Sequence, residues 1–168
     1  FNYNIKYWDL VVKDFIKFYN LNNNSSILDV GCGKGFMLYD FKRYLPKAMF
    51  KGVDISTYAI ENSLEDIKKD LVVGDCKNLP FEHNSFDLVI SINTIHNHEI
   101  SDCEASIREI NRVSKNNCFI IVDAYKNDIE KEKLYAWNLT AKTILHTNEW
   151  INLFKKNNYS GDYFWFSP

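Results

Sequence analysis
Apolar positions along this chain switch repeatedly between two rhythms. Trp8, Val11, Val12, Phe15 and Tyr19 recur every three or four residues, which predicts an amphipathic helix over residues 4–19. Asn22–Ser26 is a polar turn, and Ile27, Leu28 and Val30 then form a short run like a strand buried on both faces. Helical spacing returns with Met37, Leu38, Phe41 and Leu45, closed by Pro46. Residues 48–53 read as a second strand, followed by a helix to about residue 67 with Ser56 at its N-cap. Residues 71–73 and 86–92 read as further strands. Ser101-x-x-Glu104 is a capping-box pattern, with Cys103, Ile107, Ile110 and Val113 at helical spacing. Ser114–Asn117 reads as an exit turn in which asparagine takes the left-handed conformation, ahead of a buried strand over 118–124. Residues 128–145 form a helical segment, Thr147 caps a helix through Asn157, and residues 162–167 make an aromatic final strand.

Strand and helix thus alternate through nearly the whole chain, which predicts an α/β fold with a mostly parallel sheet. Ligands of such sheets bind beyond the C-terminal ends of the strands, where the strand order reverses. The first strand breaks there into Gly31, Gly33 and Gly35, separated by Cys32 and Lys34. Glycine admits positive φ and lets a ligand touch the main chain, and the helix that follows offers N–H groups to an anionic group. Carboxylates recur at the strand ends: Asp29 inside the first, Asp54 after the second and Asp75 after the third. An acid about twenty residues past such a loop can accept hydrogen bonds from a ribose diol. A dinucleotide fingerprint would need a third glycine where Phe36 stands, which argues against a nicotinamide-dependent oxidoreductase.

The 168 residues suit one domain with a real core. A net charge of −2, with no basic run, argues against a nucleic-acid partner. Cys32, Cys76, Cys103 and Cys118 form no C-x-x-C pair and read as reduced thiols. No stretch has the length of a membrane span and no secretory leader is recognisable, so the expectation is a cytoplasmic protein with no membrane partner.

Three segments together carry a family resemblance: Asp29-x-Gly-x-Gly-x-Gly35; Asp75-x-x-x-Leu79-Pro80-Phe81; and Ser85-Phe86-Asp87-Leu88-Val89. They resemble the class I S-adenosylmethionine-dependent methyltransferases, in the small-molecule branch typified by ubiquinone and menaquinone biosynthesis enzymes. The resemblance covers residues 25–125 well. It implies a Rossmann-like, doubly wound sheet that in this class ends in an antiparallel hairpin pair. Only one strand fits before Pro168, so the last strand is expected to be missing or displaced. The single domain of 1–168 then divides into an N-terminal helix or lid (1–24), a cofactor-binding core (25–125), a substrate-covering insertion (126–146) and a terminal helix and strand (147–168).

The resemblance also implies the ligand set. S-adenosylmethionine, leaving as S-adenosylhomocysteine, would lie with its amino-acid end over Gly31, Cys32, Gly33 and Gly35, where Asp29 shapes the amine site. Its ribose would meet Asp54, and its adenine Ile55, Asp75 and Cys76, with Ser91 and Ile92 from the fourth strand also at the cofactor. His96 is the titratable group expected nearest the transferable methyl, as a general base. The family's Leu-His-His stands here as Ile95-His96-Asn97. Tyr7 and Trp8 of the lid, with Tyr125, Tyr135, Trp137 and His146, are acceptor-pocket candidates. No metal is expected, since His96, His98 and Glu99 crowd one loop without partner spacing elsewhere. Transfer to a small-molecule acceptor is the expected activity, and the alternative is a catalytically degenerate cofactor-binding or regulatory protein.

Overall fold
The structure, a computed structural model, describes residues 2–167; Phe1 and Pro168, which belong to the expected domain, lie outside the described residues. The elements run α1 (Ile5–Phe18), β1 (Ser26–Val30), α2 (Phe36–Tyr44), β2 (Met49–Asp54), α3 (Thr57–Glu61), α4 (Glu65–Lys68), β3 (Leu71–Val73) and β4 (Phe86–Ile92). They continue with α5 (Ile100–Val113), β5 (Ser114–Tyr125), α6 (Asp128–Trp137), β6 (Leu145–His146), α7 (Thr147–Lys156) and β7 (Asp162–Phe166). The sheet order is β3-β2-β1-β4-β5, so the winding reverses between β1 and β4. That reversal opens a crevice at the tips of those two strands, which is where such folds bind ligands.

All five residues of β1 are buried, because helices cover both faces of the sheet. On one face Val12 and Phe15 of α1 and Leu38 and Phe41 of α2 pack on Ile27, Leu88 and Ile90. On the other, Ile107 and Ile110 of α5 and Trp150 and Phe154 of α7 pack on Val89, Ile120 and Val122. At the base of the sheet Asp87 accepts hydrogen bonds from the Ser26 N–H and hydroxyl, both at 2.8 Å, and from Lys115 Nζ at 3.1 Å. The aspartate of the Ser-Phe-Asp motif therefore fastens β1, β4 and β5 together.

Several local expectations change. The helix expected through residue 67 is two short helices, because Asn62 and Ser63 side chains donate to the Tyr58 and Ile60 carbonyls, each at 2.8 Å, and end the first. Ser101 and Glu104 form no capping box; the N-cap of α5 lies two residues earlier, at Glu99, without a side-chain cap. The asparagine-rich stretch Ser114–Asn117 is not a turn. It opens β5, with Ser114 and Asn117 opposite Phe86 and Leu88 across a register shift, so ladder pairing overrides the local turn preference. The helix expected over 128–145 stops at Trp137, and Asn138 binds the Thr140 and Ala141 N–H groups to hold the turn that follows. His146, not Thr147, caps α7: its Nδ1 accepts from the Asn148 N–H at 3.1 Å while Glu149 accepts from the His146 N–H at 2.8 Å.

The sheet has seven strands, and the final one is displaced rather than missing. β7 runs parallel beside Phe119–Asp123 of β5, and the two-residue β6 runs parallel beside Ala124 and Tyr125. No antiparallel hairpin occurs among the described residues.

Candidate functional site
The glycine loop is held open by its neighbours in space. The N–H groups of Gly31 and Cys32 both donate to the Val53 carbonyl, at 2.7 and 3.1 Å, and the Gly35 N–H donates to the Cys32 carbonyl at 2.9 Å. Gly31, Gly33 and Gly35 have φ of 83°, 54° and 72°, a path that other residues adopt only at a cost. Gly35 precedes α2 with no side-chain cap, so the helix start faces the loop without a competing carboxylate or hydroxyl. The Asp54 carboxylate spans loop and strand: Oδ2 accepts from the Gly33 N–H at 2.7 Å and Oδ1 from the Ser56 N–H at 2.8 Å. Each oxygen keeps a further lone pair for a ligand hydroxyl.

Two cavities meet over this loop. The first, about 320 Å³, is lined by Asp29, Cys32, Gly33, Phe36, Met37 and Trp8. The second, about 470 Å³, is lined by Asp54, Ile55, Asp75, Cys76, Asn93 and His98. Gly31 and Ile92 line both. Thr94 closes the junction from above, for a Cβ on Gly31 would stand 2.0 Å from Thr94 Oγ1. Nothing lies within 4 Å of where a Cβ on Gly33 would stand.

Asp29 is 5% exposed at the floor of the first cavity. Burial, with a smaller push from the Asp54 charge, raises its carboxyl to about 7. A cation placed there would restore its ionisation. Asp75 accepts from the Lys77 N–H at 2.9 Å and keeps Lys77 Nζ at 3.5 Å. The Leu79-Pro80-Phe81 segment beyond it is pinned by α5. Arg112 donates to the Phe81 and Leu79 carbonyls, at 2.7 and 3.0 Å, and Glu109 accepts the Leu79 N–H at 2.7 Å. That motif therefore fixes the loop carrying Asp75.

The structure brings together Asp29, Gly31, Cys32, Gly33, Asp54, Ile55, Asp75, Cys76 and Ile92 as expected neighbours. Ser91 lines neither cavity: it is fully buried, and its Oγ has no hydrogen-bond partner among the described residues. His96 is 3% exposed and lines neither cavity. Its Nδ1 accepts the Asp123 N–H at 2.9 Å, and burial lowers its pKa to about 4. A general base must reach its proton with a free lone pair. Here the Nδ1 lone pair is occupied, and the geometry makes His96 a tether that joins the single 3₁₀ turn Ile95–Asn97 to β5. His96 and His98 also serve different partners, since His98 Nε2 lies 3.3 Å from Cys76 Sγ.

Of the aromatic acceptor candidates, Trp8 alone lines either of these two cavities. Tyr7 is 69% exposed on the outer face of α1, and Tyr135 is exposed on α6. Trp137 packs on Phe166 with ring centroids 5.0 Å apart, and Tyr125 on His146 at 5.6 Å. The insertion reaches the second cavity instead through Lys142, whose N–H donates to the His96 carbonyl at 3.0 Å. Phe36, Met37, Asn93, Thr94 and His98 were also not foreseen as lining residues. Their signal was position: each follows a glycine or a strand tip already identified. Lys142 carries no such signal.

A loop of N–H groups and a buried acid thus lie at one end, and two further acids with a polar floor at the other. This arrangement fits an elongated ligand with an amino-acid end, a diol and a heterocycle.

A family model described as "Methyltransferase domain" matches residues 21–159. The chain is 33% identical over 131 residues to the malonyl-[acyl-carrier protein] O-methyltransferase of Legionella pneumophila, covering 76% of this chain and 45% of that protein. It is 30% identical over 138 residues to the tRNA (carboxymethyluridine(34)-5-O)-methyltransferase of Arabidopsis thaliana, covering 79% of this chain and 31% of that protein. The chain thus spans less than half the length of these relatives. Among solved structures, a putative methyltransferase from an antibiotic biosynthesis pathway of Anabaena variabilis superposes with a TM-score of 0.70 at 24% identity, over 88% of this chain and 60% of that one.

Proposed function
The chain belongs to the methyltransferase domain family, and from that premise we propose that it transfers a methyl group from S-adenosylmethionine to a small-molecule acceptor. One observation carries the reading: Asp29, Asp54 and Asp75, from three successive strand tips, line two cavities that join at Gly31. When bound, S-adenosylmethionine would supply a methyl group already activated for displacement by an acceptor's lone pair, the electron pair of the carbon–sulfur bond staying on sulfur. The chain's own residues bind, orient and exclude water.

Asp29 would hold the methionine ammonium, and the start of α2 its carboxylate. Asp54 would take the ribose hydroxyls on the lone pairs left by the Gly33 and Ser56 N–H groups. Asp75 and the backbone at Cys76 would take the adenine. Among the described residues, Gly31 and Ile92 are shared by the two cavities and neither carries a base, so positioning supplies the rate enhancement and the acceptor's proton leaves to solvent. Two of the relatives are named for different acceptors, a malonyl-acyl-carrier protein and a tRNA.

Calorimetry with S-adenosylhomocysteine tests the binding half. Asp54→Ala removes a ligand contact and the brace on Gly33 together, so its affinity should fall at least tenfold, and near-normal binding would sink the reading. Transfer of labelled methyl into a cell extract tests the catalytic half. Binding without transfer would favour the degenerate cofactor-binding reading, which the sealed position of His96 keeps in view.

A further inference from the structure
A third cavity, about 400 Å³, lies between α1 and the sheet, beside the two over the glycine loop. Its floor is Ile92, Phe119 and Ile121, and its wall is the α1 stripe Trp8, Val11, Phe15 and Phe18. Trp8 and Ile92 also line the cavity over the glycine loop, so the two spaces are contiguous at that pair. At its far end the Tyr19 hydroxyl donates to Asp162 Oδ2 at 2.8 Å and joins α1 to β7. From Trp8 to Tyr19 is eleven residues of helix and its cap, which is about 16 Å at 1.5 Å per residue. The lining therefore extends along α1 for about that length, with one end at the cofactor cavity.

Its chemistry is one-sided. The lining is aliphatic and aromatic except for Asp14, Asp162 and the Tyr19 hydroxyl, and no Lys, Arg or His is among the described residues lining it. A phosphate or carboxylate entering would meet two carboxylates and no cation. An apolar ligand would gain the whole lining, in a volume within the range of small-molecule sites.

We propose that this cavity holds the methyl acceptor, and that the acceptor is an elongated, uncharged apolar molecule whose reacting end lies at the Trp8–Ile92 junction. The inference rests on the methyltransferase reading and adds a place and a chemical class to it. The phosphates of a nucleic-acid acceptor would meet Asp14 and Asp162 there and no cation among the described lining residues. Acceptor specificity is set by α1 and β5 rather than by the insertion over residues 126–146.

Nile red, a neutral apolar dye, is the probe. Titration by fluorescence should show saturable binding, displaced by 1-decanol more readily than by decyl phosphate. Ile121→Trp fills the floor, and Phe18→Asp places a charge on a side chain that is 72% exposed and can change without disturbing the core. Both should weaken dye binding at least tenfold while S-adenosylhomocysteine affinity, measured separately by calorimetry, stays within twofold. Saturating S-adenosylhomocysteine should shift the dye affinity of the unaltered protein at least twofold, through the shared Trp8 and Ile92. Dye binding that is absent, or that survives both substitutions, overturns the proposal. So does decyl phosphate competing as well as 1-decanol, or sedimentation showing a dimer whose formation excludes the dye. Failure of S-adenosylhomocysteine to bind, with the dye behaving as expected, is a distinct result: it overturns the methyltransferase reading and the acceptor role, and supports the apolar site alone.

Discussion
Replacing Gly31 by alanine should separate steric from conformational strain in the loop. An alanine Cβ there would meet Thr94 Oγ1 at 2.0 Å, Cγ2 at 2.3 Å and Cβ at 2.6 Å. Rotating Thr94 does not relieve the contact, because its own Cβ is too close, and rotation would also break its hydrogen bond to the Ile92 carbonyl at 3.0 Å. Backbone movement between β1 and the β4 tip is needed, and overpacking of that kind costs about 1–3 kcal/mol. The left-handed backbone at φ 83° costs alanine roughly a further 1–2 kcal/mol. The total is roughly 2–5 kcal/mol, which for a chain of this size lowers Tm by roughly 4–20 °C at 2–4 °C per kcal/mol. Gly33→Ala is the control: its φ of 54° carries the conformational cost, but nothing lies within 4 Å of the new Cβ. Its Tm should fall by only about 2–8 °C. S-adenosylhomocysteine affinity should drop more than stability there, since the methyl group points into the candidate cavity. Differential scanning fluorimetry on both variants, with the double variant Gly31→Ala/Thr94→Gly and its single parents, closes a double-mutant cycle. A coupling of about 2 kcal/mol is expected, because Thr94→Gly removes the three nearest contacts while leaving the backbone strain. Equal Tm values for Gly31→Ala and Gly33→Ala, or a coupling near zero, would refute the steric argument.

Asp29→Asn tests the buried acid. The folded carboxyl sits near 7 against an ordinary 3.8, so the native state holds a proton that the unfolded chain releases. This contribution is fully present below about pH 4 and is lost as pH rises through 7, by up to about 4 kcal/mol at 1.36 kcal/mol per pKa unit. Urea unfolding from pH 4.5 to 7.5 should therefore show Asp29→Asn gaining on the unaltered protein as pH rises, and parallel curves would count against it. S-adenosylhomocysteine affinity should run the other way, strengthening as pH rises through 7 and flattening in Asp29→Asn, because an ammonium pairs with the ionised form. His96→Ala should destabilise by about 3 kcal/mol or more through the orphaned Asp123 N–H and the cavity left behind, while His96→Asn, with an acceptor near the old Nδ1, recovers part of it. The buried imidazole favours the fold above pH 6.5 and this is lost as pH falls through about 4, so the acid limb of the stability curve should flatten in His96→Asn. If His96→Asn folds stably yet loses all methyl transfer with S-adenosylhomocysteine affinity intact, the structural assignment of His96 is wrong.

Much of this protein is written in short-range pattern. Apolar runs gave β1 and β4, helical spacing gave α1, α2 and α5, and alternating glycines with an acid at each strand tip located the crevice. These signals are legible because strand burial, turn conformation and parallel winding each constrain residues close together in the chain. The remainder depended on neighbours distant in sequence. Ser114–Asn117 has turn composition, yet its backbone groups pair with β4, and ladder pairing wins. His96 looked available because it follows a strand tip, but Asp123, twenty-seven residues later, takes its lone pair. Lys142 lines the cavity where its N–H and that of Thr143 both donate to the His96 carbonyl, far earlier in the chain. The last strand lies parallel on β5, and with α1 it bounds an apolar cavity that no local motif announces. Periodicity determines which residues face inward. Which inward faces meet, and what space is left between them, is decided by packing across the whole chain.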